Sequence, residues 1–533
     1  MRQLVVCVCV CAVIEHVIAY RYENETGMGD AFSQQLPEFR QRHPRPIGVW
    51  TKLTGDPIDL RDTITMNTDI FNNKHHFLVG AHLDRERIPE RIVHAKGYGA
   101  FGYFEVTHDV SKYIKSDVFN GIGKRTPVAS RFSTARQNLG GNDLSRETKA
   151  IAIKLYTKEG NLDMICFHIP VFLYKDPIEF PAFVRAFRRN PRTGIVDNTA
   201  RWDFLTQKPD FLHANLWLQS DLGIPDGYRK SHYFPLHTYE IYNKHGERFY
   251  VKFNYRAELG MVNLTNAQAA AIGISDPDYY NRDLYNAIAA KNYPAWRLEM
   301  DILTKDELSK LDYDPFDMTR LWKRGTYRTV PVGRLVLNGR VDNHFKDVET
   351  SAYNPDNLVP GITGPPDLVF KARKIFYPDT QNYRLGVNHA NSRINAPLYD
   401  RNYNRDGRPP LQDNMKDAPN YYPNSFSGPM TYVDEARPTE RLIPLQRNAF
   451  DLQPVSEFYN EIIESDDHRQ RIADNVAESL VGVSPDILKK ALRLLTLVDI
   501  DFGRRVRASL KAQQLASAEE IRSQLAQCIA SIG

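Results

Sequence analysis

The sequence predicts an α+β chain: an antiparallel β-barrel, then a long irregular wrapping segment, then a C-terminal helical bundle. Three observations predict it. Apolar residues recur with period two between Thr126 and about Leu337, Pro, Asn, Asp and Tyr dominate from about Asp342 to Pro454, and a helical period follows Pro454. With 533 residues, 42% of them hydrophobic, the chain is globular and long enough for one large core with an appendage or for two to three domains. Its 69 basic and 65 acidic side chains leave a formal charge of only +4, which excludes the strongly basic footprint of a nucleic-acid binder.

At the N-terminus Arg2 precedes the apolar run Leu4 to Ile14, and Val17 and Ala19 supply the small-residue spacing that a signal peptidase reads. Residues 1–19 are therefore expected to be a secretory signal peptide. A membrane anchor needs about twenty apolar residues, and Glu15 and His16 interrupt the run too early. The expected product is extracellular, with no membrane association after cleavage; the ending Ser531-Ile532-Gly533 is not the Ser-Lys-Leu type of peroxisomal address. Cys7, Cys9 and Cys11 would leave with the signal, and the remaining Cys166 and Cys528 define no disulfide framework. Asn24-Glu25-Thr26 and Asn263-Leu264-Thr265 are acceptors for glycosylation on that route.

Strands are read from Ile151, Ile153 and Leu155, from Phe249, Val251, Phe253 and Tyr255, and from Trp296, Leu298, Met300 and Ile302. Between the last four stand Arg297, Glu299 and Asp301, so one face is apolar and the other polar. Several such antiparallel strands close a barrel economically. The stretches Arg405-Asp406-Gly407-Arg408-Pro409-Pro410 and Ala418-Pro419-Asn420-Tyr421-Tyr422-Pro423-Asn424 promise little regular structure. Their aromatics imply packing, against the barrel or a neighbouring subunit. In the tail, Ile472, Val476 and Leu480 repeat every four residues, and Ser484-Pro485-Asp486 sets a cap and a first-turn proline.

The run Asp84-Arg85-Glu86-Arg87-Ile88-Pro89-Glu90-Arg91-Ile92-Val93-His94-Ala95-Lys96-Gly97, continued by Gly102-Tyr103-Phe104-Glu105-Val106-Thr107, closely resembles the distal-histidine motif of haem catalases. Arg131-Phe132-Ser133-Thr134, Gly223-Ile224-Pro225-Asp226-Gly227, Asp276-Pro277-Asp278-Tyr279 and Tyr377-Pro378-Asp379-Thr380 agree in order and spacing, so the resemblance covers nearly the whole mature chain. It implies the small-subunit catalase fold. An N-terminal arm spans 20–90, an eight-stranded antiparallel β-barrel haem domain 91–341, a wrapping segment bearing the proximal ligand 342–454, and a helical domain 455–533. A homotetramer acting on hydrogen peroxide is implied by the family alone.

The resemblance also implies roles. Tyr377 is the iron ligand, because catalases hold haem iron through a tyrosine. Arg373, one helical turn earlier, supplies the positive charge beside which a phenol ionises. His237 and Asp367 match the histidine and aspartate that back that arginine. Arg91, Arg131 and Arg384 match the three positions that hold the haem propionates, a task suited to planar guanidinium groups. Arg185, Arg188 and Arg189 read as solvated surface charges. His94 is the distal acid–base group and Ser133 the serine that orients it. Phe172, Phe180 and Phe183 match aromatics lining the haem and its channel.

Three departures stand out. Where catalases carry a distal asparagine that donates to peroxide, this chain has Phe167; Ala135 replaces a channel valine; and Arg146-Glu147-Thr148-Lys149-Ala150-Ile151-Ala152 replaces a different loop sequence. Loss of one preorganised donor costs on the order of a hundred- to a thousandfold in rate, so reduced catalase activity is expected. NADPH is not expected: the arginine that receives its phosphate is Leu222, and His232 and Arg324 replace two further contacts, leaving only His213 and Arg256. Two other functions are compatible with the residues. One is a haem peroxidase or hydroperoxide-converting enzyme with an apolar distal pocket, the other a non-enzymatic haem-binding or structural homologue.

Overall fold

The structure is a computed structural model that describes residues 30–64, 73–411, 414–439 and 451–532. The expected signal segment 1–19 and the sequon at Asn24 lie outside the described residues. Among those described, no helix is long and apolar enough to cross a membrane.

Eight strands form one antiparallel sheet: β1 Gly97–Val106, β2 Arg125–Thr134, β3 Lys149–Thr157, β4 Gly160–Phe167, β5 Tyr239–Tyr242, β6 Arg248–Ala257, β7 Ala295–Thr304 and β8 Arg328–Arg340. Their spatial order is β4-β3-β2-β1-β8-β7-β6-β5, two four-stranded meanders joined through the first and last strands. The edges β4 and β5 share no ladder. The curl closes instead through residues 233 and 234, where Phe167 pairs with Phe234 by N–H···O bonds of 2.9 and 2.8 Å and Tyr233 pairs with Tyr255 on β6. The expected barrel is thus present, with a short bridging segment in place of one strand–strand seam.

The period-two signal has a direct cause. Trp296, Leu298, Met300 and Ile302 are all completely buried in the barrel, whereas Arg297 is exposed and Glu299 and Asp301 are partly so. Each such burial contributes about 1.5–3 kcal/mol. One glycine is fixed by packing rather than by φ. At the bulge between β1 and β8, a Cβ on Gly102 would overlap the carbonyl oxygen of Val336. Gly102→Ala is expected to destabilise the chain by about 2–3 kcal/mol, read as a lowered thermal midpoint; an unchanged midpoint would show that the seam yields.

The eleven longer helices among the described residues are α1 Gln35–Arg42, α2 Lys74–Leu83, α3 Phe180–Ala186, α4 Asn198–Gln207, α5 Leu212–Gln219, α6 Asn266–Ser275, α7 Tyr279–Ala289, α8 Leu368–Leu385, α9 Asp466–Ser479, α10 Pro485–Val498 and α11 Ile500–Ile532. Two regions differ from the sequence reading. The region between β4 and β5 is helical (α3 to α5), because helices of only seven to ten residues show too few turns to mark a period. The wrapping segment contains α8, eighteen residues long, capped by the Asp367 carboxylate that accepts from Phe370 N–H at 2.8 Å.

Ile472, Val476 and Leu480 face inward as predicted, and Ser484 with Pro485 starts α10. The C-terminal helices are not a separate body: Val476, Leu495 and Phe502 share one core with Phe172, Phe183, Trp202 and Phe211. Trp202 Nε1 donates to Ser479 O at 3.2 Å across that join. The wrapping aromatics Tyr421, Tyr422, Phe426 and Tyr432 stay exposed and do not pack on the barrel of this chain. Near them, Asp434 ties the segment down by accepting from Lys115 Nζ at 2.6 Å and Tyr242 Oη at 2.7 Å.

Candidate active site

A cavity of about 630 Å³ lies between the barrel, α8 and the helical layer. His94, Ser133, Arg91, Arg131, Phe172, Phe180, Phe183, Arg373 and Tyr377 all line it, so residues nearly 290 positions apart in sequence meet as expected. His237, Asp367 and Arg384 stand behind this lining and hold it in place.

The proximal side is an unbroken chain of hydrogen bonds. Arg373 Nη2 donates to Tyr377 Oη at 2.9 Å, an i,i+4 pair on α8, and Arg373 Nη1 donates to His237 Nε2 at 2.7 Å. Because a guanidinium only donates, His237 Nε2 must accept, which places the ring proton on Nδ1. That proton is donated to Asp367 Oδ2 at 2.8 Å. Burial lowers the pKa of His237, so the ring is neutral in this role. Burial opposes the charge on Arg373, yet the adjacent Tyr377 outweighs it and the guanidinium is held more firmly protonated than usual. Asp367 therefore serves twice, as helix cap and as the anchor of the relay.

On the other side His94 follows an arm segment and precedes β1. Its backbone is left-handed, φ +61°, and is held there by its N–H donating to Ala135 O at 2.8 Å and its C=O accepting from Arg131 Nη1 at 2.9 Å. His94 Nδ1 lies 2.9 Å from Ser133 Oγ, which β2 presents. Burial first, then the charges of Arg131, Arg373 and Arg91, pull the imidazole pKa down to about 3. The ring is neutral at any physiological pH, and its Nε2 has no protein hydrogen bond among the described residues. Phe167 ends β4 with its ring centroid 5.8 Å from that of His94 and 5.5 Å from that of Phe172. No amide stands at this position; the wall beside His94 is apolar.

Arg91, Arg131 and Arg384 converge on Glu349. Its carboxylate lies 3.6 Å from Arg91 and 4.0 Å from Arg131, and its backbone carbonyl accepts from Arg384 at 3.0 Å. Three guanidinium charges against one carboxylate leave a surplus of two, and Arg91 Nη1 and Arg131 Nε are buried without a hydrogen-bond partner. Burial, followed by repulsion from Arg131 and Arg384, lowers the Arg91 pKa. This surplus fits a group that brings two carboxylates.

Sequence reasoning missed Glu349, Tyr353 and Phe187. Nothing local marks the first two, but Phe180, Phe183 and Phe187 recur at helical spacing and were legible as one face. His213 and Arg256, the two positions the sequence left as nucleotide contacts, are engaged within the protein. His213 accepts from Trp217 Nε1 at 3.1 Å with its other nitrogen 2.6 Å from Thr319 O, and Trp217 packs on Phe458 at 4.7 Å. Arg256 pairs with Glu299 at 3.4 Å and lies over Phe234.

A family model described as Catalase matches residues 58–428, most of the chain. The chain belongs to the catalase family. A second family model, described as Catalase-related immune-responsive, matches residues 453–510 of this catalase homologue. It is 43% identical to the catalase of Sus scrofa over 437 residues, which is 81% of this chain and 83% of that one. It is 39% identical to the catalase of Rattus norvegicus over 498 residues, covering 90% and 93%. The crystal structure of a fungal catalase superposes with a TM-score of 0.83 at 32% identity, covering 88% of this chain and 96% of that one.

Proposed function

We propose that this catalase-family enzyme is a secreted, haem-dependent catalase that decomposes hydrogen peroxide to water and oxygen, slowed by Phe167 at the distal position. The observation that carries the proposal is the Asp367–His237–Arg373–Tyr377 relay facing His94 and Ser133 in one cavity. Tyr377 would hold the iron, Arg91, Arg131 and Arg384 the two propionates, and Phe172 and Phe180 would lie against the porphyrin. When bound, haem supplies the redox chemistry by which one peroxide is reduced to water and a second is oxidised to oxygen.

The chain's own contribution is positional and protonic. Arg373 donates to Tyr377 Oη, and His237 and Asp367 fix Arg373 in the geometry that allows this. With His94 Nδ1–H donated to Ser133 Oγ, Nε2 carries a lone pair into the cavity. It would take the proton from one peroxide oxygen and deliver it to the other, the proton movement that release of water needs while bound haem supplies the electrons. Phe167 offers no donor to hold peroxide during that transfer. Phe167→Asn is expected to raise oxygen release by about a hundredfold, measured at saturating peroxide; an unchanged rate would remove Phe167 from the explanation.

Oxygen evolution by the purified protein tests the proposal, and a rate no greater than that of free haem would defeat it. Secretion is supported by the Leu4 to Ile14 run, and a homotetramer by the exposed aromatics of the wrapping segment. The absence of NADPH from the scheme rests on Leu222 and on the engagement of His213 and Arg256. One observation favours a second reading: the apolar wall made by Phe167 suits an organic hydroperoxide, and product analysis with such substrates separates the two.

A further inference from the structure

Three arginines without a role in the peroxide chemistry, Arg136, Arg146 and Arg201, line the same cavity, and two of them share an aromatic ring. Arg136 follows β2 and Arg201 lies on α4; both are half-buried, and their guanidinium carbons sit 5.6 and 5.8 Å from the ring centroid of Phe187. Sharing one ring, they converge on common space. Their compensation differs. Arg136 Nε lies 3.8 Å from the buried Glu147 carboxylate, and Arg136 Nη2 donates to Arg146 O at 2.7 Å. Arg201 Nη1 meets only the neutral amide oxygen of Asn198 at 3.2 Å, and its Nε is buried without an acceptor. Among the described residues Arg201 makes no ion pair.

A guanidinium N–H that has lost water without gaining an acceptor, as Arg201 Nε has, is costly, and the cost falls when an anion arrives to accept from it. Burial, with the charge of Arg136 after it, brings the Arg201 pKa down to about 10, so the group still carries its charge. Beside it the wall is apolar: Phe183 and Trp202 are buried and line the cavity with Phe187. Glu147 and Asp197 act on Arg201 only at longer range, and Arg146, the other of the three without an ion pair among the described residues, is held by the neutral oxygens of Asn266, Leu218 and Ser220; the charge of Arg201 at the edge of an apolar wall matches a single anionic head on an apolar body.

We propose that Arg201, with Arg136 beside it, binds the carboxylate of an amphipathic monocarboxylic acid whose apolar body lies along Phe187, Phe183 and Trp202. This rests on the proposed function only for what stands at the inner end of the cavity. Binding is measured on the holoprotein with no peroxide present, so it holds or fails separately from oxygen evolution.

The test is calorimetric titration with laurate and with dodecanol, its neutral counterpart of equal chain length. Laurate is expected to bind about tenfold more tightly than dodecanol, the worth of one charge-assisted hydrogen bond. Arg201→Gln should abolish that preference while leaving dodecanol affinity unchanged, and Arg201→Lys should retain most of it. Equal affinity for the two ligands on the unaltered protein, no laurate binding, or an Arg201→Gln protein that keeps the preference would each overturn the assignment.

Discussion

Replacing His94 by alanine or asparagine lowers oxygen release from hydrogen peroxide by about a thousandfold, while haem content stays at the parent level. The magnitude is that of a lost general acid–base group, which contributes about 10²–10⁴ in rate. A thousandfold loss is the middle of that range, and it is not softened by an amide donor at the distal wall, because Phe167 stands there with its ring 5.8 Å away. Asparagine is the sharper variant. The His94 backbone is at φ +61°, a conformation that asparagine tolerates better than most residues, so the fold and Arg131's bond to the His94 carbonyl persist. A variant that kept more than a third of the parent rate would show that His94 does not move the proton.

Tyr377→Phe is expected to yield a protein without bound haem and with turnover at the level of free haem. Removal of one oxygen takes away the proposed iron ligand and also the acceptor of Arg373 Nη2, leaving a buried guanidinium charge with only His237 opposite it. Breaking such a buried pair from one side costs about 3–5 kcal/mol, so a lowered thermal midpoint accompanies the loss. Haem content by pyridine haemochromogen assay checks the first effect. Full haem retention with intact turnover would show that another residue holds the iron.

The sequence revealed most of this site because its parts lie in compact local patterns. The run Asp84 to Gly97 places Arg91 and His94 three residues apart, and α8 with its cap places Asp367, Arg373, Tyr377 and Arg384 along one helix. What stayed hidden depends on long-range placement. Glu349 is one acidic residue in a polar stretch, and only folding brings Arg91, Arg131 and Arg384 around it. The Arg136–Phe187–Arg201 cluster joins a loop to two separate helical segments, and no spacing rule connects them. In the fold, strand alternation and the tail's helical period were readable, whereas the short helices α3 to α5 and the closure through Tyr233 and Phe234 were not. Those two features depend on packing against the C-terminal helices and on a pair of isolated bridges.

The optical spectrum of the protein purified from porphyrin-replete cells, taken with its iron content, tests the central claim most directly. A Soret band with the charge-transfer features of a phenolate-bound ferric haem, shifted on mutation of Arg373, is the predicted result. A colourless protein without iron, or a haem spectrum that ignores both Tyr377 and Arg373, would contradict it.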